Sequence, residues 1–271
     1  MSKFFVRMPS RPAALSVVAE MASDPMVPTP QLSLSDESVV IADLEEDQAD
    51  RMRAEWATLY ADVQFGHFAG AAVPSAGRYW IQPKAATPMA PSASLRDVLT
   101  HIRAPQAWST GAKGDGVTIA VVDTGICGVL SEFPAAKRSP LDTPSKYQGQ
   151  HWQDVWGHGS MCATIAGASA NAGGKFDGVA PSATVLAART DLTASDIYLI
   201  YQQLILWKRA GAISGPLVVS NSYGLYTCAP PNVLPADHPY MDLVVQAIDE
   251  GIVVVFDAGN NHYDVLCNHD P

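Results

Sequence analysis

The chain has 271 residues, 48% of them hydrophobic and 16% charged, enough apolar material for one large buried core or for a large domain with a small one beside it. Its formal charge of −10 excludes the basic face that a nucleic-acid partner needs, while an acidic surface by itself serves solubility. No run approaches the ~18 consecutive apolar residues of a membrane span, so neither nucleic acid nor membrane is expected as a partner.

The amino terminus, MSKFFVRMPSRPAALSVVAEMASDP, has a basic residue early but no clean apolar stretch, since Arg7, Pro9, Arg11 and Pro12 interrupt it. It does not read as a secretory signal, and the compartment stays open between extracellular and cytoplasmic. Lys3 to Met8 (KFFVRM) and Ser38 to Ala42 (SVVIA) are rich in Phe, Val and Ile and read as strands. Between Asp43 and Tyr60, Leu44, Met52, Trp56 and Leu59 recur at roughly helical spacing, with acids in the first turn. A further extended piece, Ala61 to Phe65, follows. Together these predict a small α/β unit over residues 1–84. The small, proline-bearing KAATPMAPSAS that ends at Ser94 reads as a linker over 85–94, open to proteolytic nicking.

Residues 95–271 change texture. Val117–Val122 (VTIAVV), Thr184–Ala188 (TVLAA), Leu217–Ser220 (LVVS) and Ile252–Phe256 (IVVVF) are short, nearly all-apolar runs, as expected of strands covered on both faces. Helical stretches alternate with them at Gly159–Ala170, Ser195–Ala210 and Asp242–Glu250. The alternation predicts an α/β fold, a parallel sheet flanked by helices.

Ligands of such sheets sit outside the carboxyl ends of the strands. Asp123-Thr124-Gly125 follows the first of these strands, Asn221-Ser222-Tyr223-Gly224 the third and Asp257-Ala258-Gly259-Asn260 the fourth, while His158 opens a helix. Acyl transfer could use these groups. A buried carboxylate such as Asp123 would fix the tautomer of His158, which would take the proton of a serine nucleophile. Asn260 would donate to the developing oxyanion, a contribution of roughly 3–4 kcal/mol to the barrier.

The residues that carry this chemistry also carry a resemblance. GDGVTIAVVDTGI around Asp123, GHGSMCATIAG around His158, GVAPSATVLAAR from Gly178 to Arg189, VVSNSYG and VVVFDAGN resemble, in order, five segments of the subtilisin-like serine peptidases. The resemblance covers about His101 to Asn260. It implies a serine endopeptidase with Asp123 and His158 as catalytic residues, Asn260 in the oxyanion hole, and Ser222, Tyr223 and Gly224 holding substrate as an added strand. It implies a protein or peptide substrate and no required cofactor or catalytic metal. Calcium stabilises many members of the family, but no acid cluster in this sequence indicates a site. The unit over residues 1–84 has the size and element order of the family's propeptide, so the linker would contain the maturation cut.

The sequence departs from the family in one large respect. The G-T-S-M-A-x-P motif that carries the nucleophile does not occur in it. The expectation is that the serine comes from outside these residues, on a longer product or on a second chain. The competing reading is a degenerate, truncated pseudo-peptidase that acts as a binding or inhibitory module. Smaller departures are Ser160 and Met161 in place of threonine and histidine, and Asp257 beside the oxyanion segment, read as a solvent-facing acid.

Other readings of the same residues are weaker. V-V-D-T-G also suits an aspartic protease, which needs two such carboxylates, and only one D-T-G occurs. Gly114-Asp115-Gly116 precedes its strand, so it is a turn and not a dinucleotide loop. Ser222 lacks a nucleophile elbow. The resemblance places Cys162 as a free thiol beneath His158, as in proteinase K and its relatives, and Cys127 reads as another small buried residue. Cys228 and Cys267 could pair in an exported protein. His262, Cys267, His269 and Asp270 match no zinc spacing and read as a polar surface loop.

Overall fold

A computed structural model describes residues 1–23, 28–33, 38–54, 57–63, 65, 94–224 and 234–257. Among these residues two four-stranded sheets carry the fold. The first is built from β1 (Ser2–Arg7), α1 (Arg11–Ala22), β2 (Gln31–Leu32), β3 (Val39–Leu44), α2 (Glu46–Ala54) and β4 (Thr58–Ala61). Its strands run antiparallel in the order β2-β3-β1-β4. Successive strand residues point to opposite faces. Phe4, Val6, Val40, Ala42 and Leu44 therefore pack with Ala14 and Met21 of α1 and Ala49 of α2. Phe5, Val39, Ile41 and Tyr60 point the other way, into a second core.

Three features of this unit differ from the sequence expectation. The last strand is Thr58–Ala61 and not the extended piece expected over Ala61 to Phe65, because the residues that pair with β1 are Thr58 to Ala61. The helix between Asp43 and Tyr60 is only Glu46–Ala54, because Asp43 and Leu44 pair with Lys3 and Ser2 of β1 and Thr58 to Ala61 pair on its other side. The Gln48 side chain accepts from the Glu45 amide and closes its first turn. Helix α1 was not expected at all. Ser10 caps it and Pro12 lies in its first turn, so a proline that interrupts an apolar run here begins a helix.

The second sheet follows α3 (Leu95–His101) and α4 (Ala104–Ser109). It comprises β5 (Thr118–Asp123), β6 (Thr184–Arg189), β7 (Leu217–Asn221) and β8 (Val253–Phe256), all parallel, in the order β6-β5-β7-β8. Each lies within one residue of its expected span. Helices α5 (His158–Gly167), α6 (Ala194–Arg209) and α7 (Pro239–Asp249) connect them. On one face Ile119, Val121, Val185 and Ala187 pack with Ile126, Phe133 and Ala163. On the other, Ala120, Val122, Leu186, Ala188, Leu217 and Val219 meet α6 and α7. This two-sided burial is why the strands read as continuous apolar runs.

The core on the α6 and α7 side is continuous with the second face of the first sheet: Phe5, Val39, Ile41 and Tyr60 belong to it with Ile197, Tyr198, Tyr201, Tyr240 and Leu243. Polar contacts reinforce the junction. Asp62 accepts from the Ser195 amide (2.8 Å) and hydroxyl (2.6 Å) at the first turn of α6. Ser33 bonds the Tyr198 hydroxyl at 2.7 Å, and Arg7 pairs with Asp242 of α7.

In register, Val122 lies beside Asn221, and Asn221 beside Phe256. The carboxyl ends of β5, β7 and β8 thus form one edge, with Asp123, Ser222 and Asp257 at it or just past it.

Candidate active site

Asp123 is the last residue of β5 and is 1% exposed. A carboxylate so placed needs hydrogen bonds to offset its lost hydration. The Thr124 amide donates to Oδ1 at 2.7 Å, and His158 Nδ1 lies 2.9 and 3.0 Å from the two carboxylate oxygens. The two residues are 35 positions apart and meet because α5 starts directly over the end of β5. Gly157 turns the chain with φ 84°, a left-handed value suited to glycine. Gly159 lets the helix approach, since a Cβ there would run into the Gly125 carbonyl oxygen.

Burial disfavours the imidazolium of His158, but the hydrogen bond and charge of Asp123, with those of Cys162, together outweigh it, so the His158 pKa lies above its ordinary 6.5. The side chain keeps 19% of its surface exposed. Cys162, one turn later, is a free, half-buried thiol with Sγ 3.8 Å from His158 Nδ1. Asp123, His158 and Cys162 form the group of metal-ligating side chains that converges most closely among the described residues, their donor atoms all within 4.8 Å. The imidazole and carboxylate are hydrogen-bonded to each other, and the arrangement needs no ion to explain it.

The other expected site residues are distributed differently. Ser222 and Gly224 are half-buried beyond the end of β7. The Tyr223 side chain is 1% exposed and turns inward, donating to Asn221 Oδ1 at 2.7 Å; burial pushes its phenol well above the usual range. The Tyr223 side chain is therefore not available to meet a ligand. Asp257 is exposed, as expected of a solvent-facing acid, while Met161 is exposed and Ser160 buried. Asn260 lies outside the described residues, as do Cys228, Cys267, His262, His269, Asp270 and nearly all of the linker.

Asp154 was not singled out from sequence. Its carboxylate accepts five hydrogen bonds, from Thr124 Oγ1 (3.0 Å), the amides of Trp156 (3.0 Å), Gly157 (2.8 Å) and Ser160 (2.9 Å), and Ser160 Oγ (2.6 Å). The signal for it was present: an acid just before a helix, positioned to cap its free amides. Asn221 was noted at its strand end without a role of its own. Its side chain accepts from the Tyr201 and Tyr223 hydroxyls and donates to the Val255 carbonyl, tying β7 to α6 and β8.

The model of the subtilase family matches residues 114–270, more than half of the chain. The chain belongs to the subtilase family. Two curated relatives match the same part. The minor extracellular protease Epr of Bacillus subtilis (strain 168) is 30% identical over 164 residues, 60% of this chain and 23% of that protein. Thermitase of Thermoactinomyces vulgaris is 34% identical over 169 residues, 59% of this chain and 52% of that protein. The chain thus spans about a quarter and about half of these subtilases. Among solved structures, fervidolysin from Fervidobacterium pennivorans superposes with TM-score 0.60 at 17% identity, covering 97% of this chain and 40% of that one. The epidermin leader peptide processing serine protease of Staphylococcus aureus gives TM-score 0.57 at 13% identity, covering 98% and 62%. At these identities the likeness is one of fold, and it extends over the N-terminal sheet as well as the parallel one. The subtilase fold expected from the order of motifs is the fold observed.

Proposed function

We propose that this subtilase chain is the front portion of a serine endopeptidase that cuts peptide bonds through an acyl-enzyme. The observation that carries the reading is the contact of His158 Nδ1 with both oxygens of the buried Asp123 carboxylate at 2.9 and 3.0 Å. A carboxylate there holds the proton on Nδ1 and leaves Nε2 as the basic nitrogen. It also stabilises the imidazolium that forms when the histidine takes a proton. His158 then acts as general base toward a serine and as general acid toward the leaving amine. In this reading the serine is supplied from outside residues 1–271, by a longer product or a companion chain. Asn260 donates to the oxyanion, and the backbone of Ser222 to Gly224 pairs with an extended protein or peptide substrate. No step calls on a metal or cofactor.

The N-terminal sheet fits the role of a propeptide, with the maturation cut between residues 85 and 94. Its apolar face shares a core with α6 and α7, and two polar groups cap or pair with those helices.

A second reading, a pseudo-peptidase that binds a partner by strand addition, has one observation in its favour. Among the described residues β8 is an outer strand of the sheet, with Val253 53% and Val255 49% exposed; such an edge pairs readily with an added strand. Fluorophosphonate labelling of the protein from its natural source, with the labelled peptide sequenced by mass spectrometry, separates the two. Label on a serine beyond Pro271, or on a companion chain, supports the peptidase. A folded preparation in which no associated serine is labelled supports the binding module.

A further inference from the structure

The hydrogen bonds around Asp154 form a bridge between the two loops that supply Asp123 and His158. On the β5 side, Thr124 Oγ1 donates to Asp154 at 3.0 Å and accepts from the Gly159 amide at 2.9 Å. On the α5 side, Ser160 donates through both its amide and its hydroxyl to Asp154, and its Oγ accepts from the Cys127 amide at 2.8 Å. Trp156 and Gly157, the residues just before His158, point their amides at the same carboxylate. Thr124 adjoins Asp123, and Gly157 and Gly159 flank His158. One connected, partly buried set of hydrogen bonds thus fixes the backbone on both sides of the Asp123–His158 contact.

We infer that Asp154, acting through Thr124 and Ser160, is a positioning residue that sets the distance and angle between Asp123 and His158. The inference rests on the peptidase reading for its purpose but not for its geometry. Asp154 touches neither reacting side chain. Its carboxylate is held ionised: burial works against the charge, and the bonds from Ser160, Gly157 and Trp156 outweigh it. An ionised acceptor is what the bridge requires, since all five of its partners donate. Ser160, which departs from the family's threonine, retains the hydroxyl that this bridge uses.

The test reads the pair and not turnover, so it needs no serine. In the 271-residue chain, NMR follows the Nδ1 proton and the titration of the His158 imidazole. Asp123→Asn serves as reference for loss of the pair. Asp154→Ala is expected to move the Nδ1 proton upfield and to bring the imidazole's midpoint down by about one pH unit, a tenfold loss of proton affinity. Thr124→Val and Ser160→Ala, which each remove one arm, should give smaller shifts of the same sign and remain readable if Asp154→Ala does not fold. Ser160→Thr should restore the parent signal. A folded Asp154→Ala, or both one-arm variants, with the parent's Nδ1 signal and midpoint would overturn the inference and leave Asp154 a helix cap. If Asp123→Asn itself changes nothing, the site reading fails instead.

Discussion

Two histidines stand at the starts of helices α5 and α7, one half-buried and one fully buried, and their surroundings differ. His158, over the end of β5, faces a carboxylate and is held above the ordinary imidazole range. His238, the N-cap of α7, is 1% exposed and is enclosed by the rings of Phe5 and Tyr60 at 5.0 and 5.2 Å. Its Nδ1 accepts from the Tyr240 amide at 3.1 Å. Its Nε2 faces the Ala61 carbonyl without a well-formed hydrogen bond. Burial, with the Arg7 charge adding to it, pushes the His238 pKa down to about 4, against the weaker pull of Asp237 and Asp242. A histidine beside a buried carboxylate is equipped to gain a proton, and one in an aromatic cage to refuse it. The first arrangement suits catalysis. The second makes the junction between the two sheets sensitive to pH.

The largest effect expected from this contrast is at the first histidine. For the proposed peptidase, assayed in a serine-bearing form, His158→Ala should lower kcat by about 10⁶, the cost of losing the base from a serine triad. His238→Asn should leave kcat within about threefold. Steady-state peptidase assays on both variants check the contrast, and equal losses would erase it. Because the base must be unprotonated, the raised His158 pKa also puts the rise of kcat/KM on the alkaline side of 6.5.

A smaller effect is expected at the second histidine, with a defined pH window. Above pH 6.5 His238 is neutral whether the sheets are docked or apart. Between 6.5 and about 4 the undocked form takes a proton that the docked form refuses. Stability of the junction is therefore full above 6.5, is lost as pH falls, and levels off below about 4. The loss over the whole window should be on the order of 3 kcal/mol. His238→Asn keeps a capping acceptor for the Tyr240 amide and should remove this component, leaving the slope due to carboxylates. Hydrogen exchange of β1 and β4 amides at pH 7 and 4.5, parent against variant, measures it. Identical pH slopes would mean that the cage does not discriminate against the proton.

What was legible in the sequence follows from how local each signal is. The strands of the parallel sheet announce themselves because both their faces are buried, so TVLAA and LVVS are apolar at nearly every position. Asp123 and His158 stand at strand and helix ends, where their neighbours form recognisable motifs. Helix α1 did not announce itself, since only Ala14 and Met21 along it are buried and its apolar spacing is weak. Tyr223 was placed at the substrate strand by its motif, but its side chain belongs to the core because Asn221 and Tyr240 offer it partners there. Asp154 acts through Thr124, 30 residues away, and Tyr60, beside His238, reaches Asp237 across 177 residues. Such roles exist only once the chain is folded.

The finest test of the junction is at Asp62, where the N-terminal unit supplies part of a cap to a helix of the other unit. Helix α6 has its own N-cap, Thr193, whose side chain accepts from the Asp196 amide. The Asp62 carboxylate covers another free amide, that of Ser195, at 2.8 Å, and the Ser195 hydroxyl at 2.6 Å. Losing such a cap costs about 1 kcal/mol, so Asp62→Ala should weaken docking by about that amount without touching the Asp123–His158 pair. Asp62 also runs opposite to His238 in pH. Burial raises its pKa above the ordinary 3.8 despite the Ser195 bonds, so the ionised form is the less favoured one at the junction. Its contribution is full below 3.8 and declines as pH rises through the raised value. Asp62→Asn keeps an oxygen acceptor without the charge. It should cost less than the alanine variant at pH 7 and, near pH 4, should lose whatever advantage neutrality confers. Exchange of the Ser195 amide in the three proteins decides the point: if Asn and Ala are equally damaging at pH 7, the cap depends on charge and not on the acceptor alone.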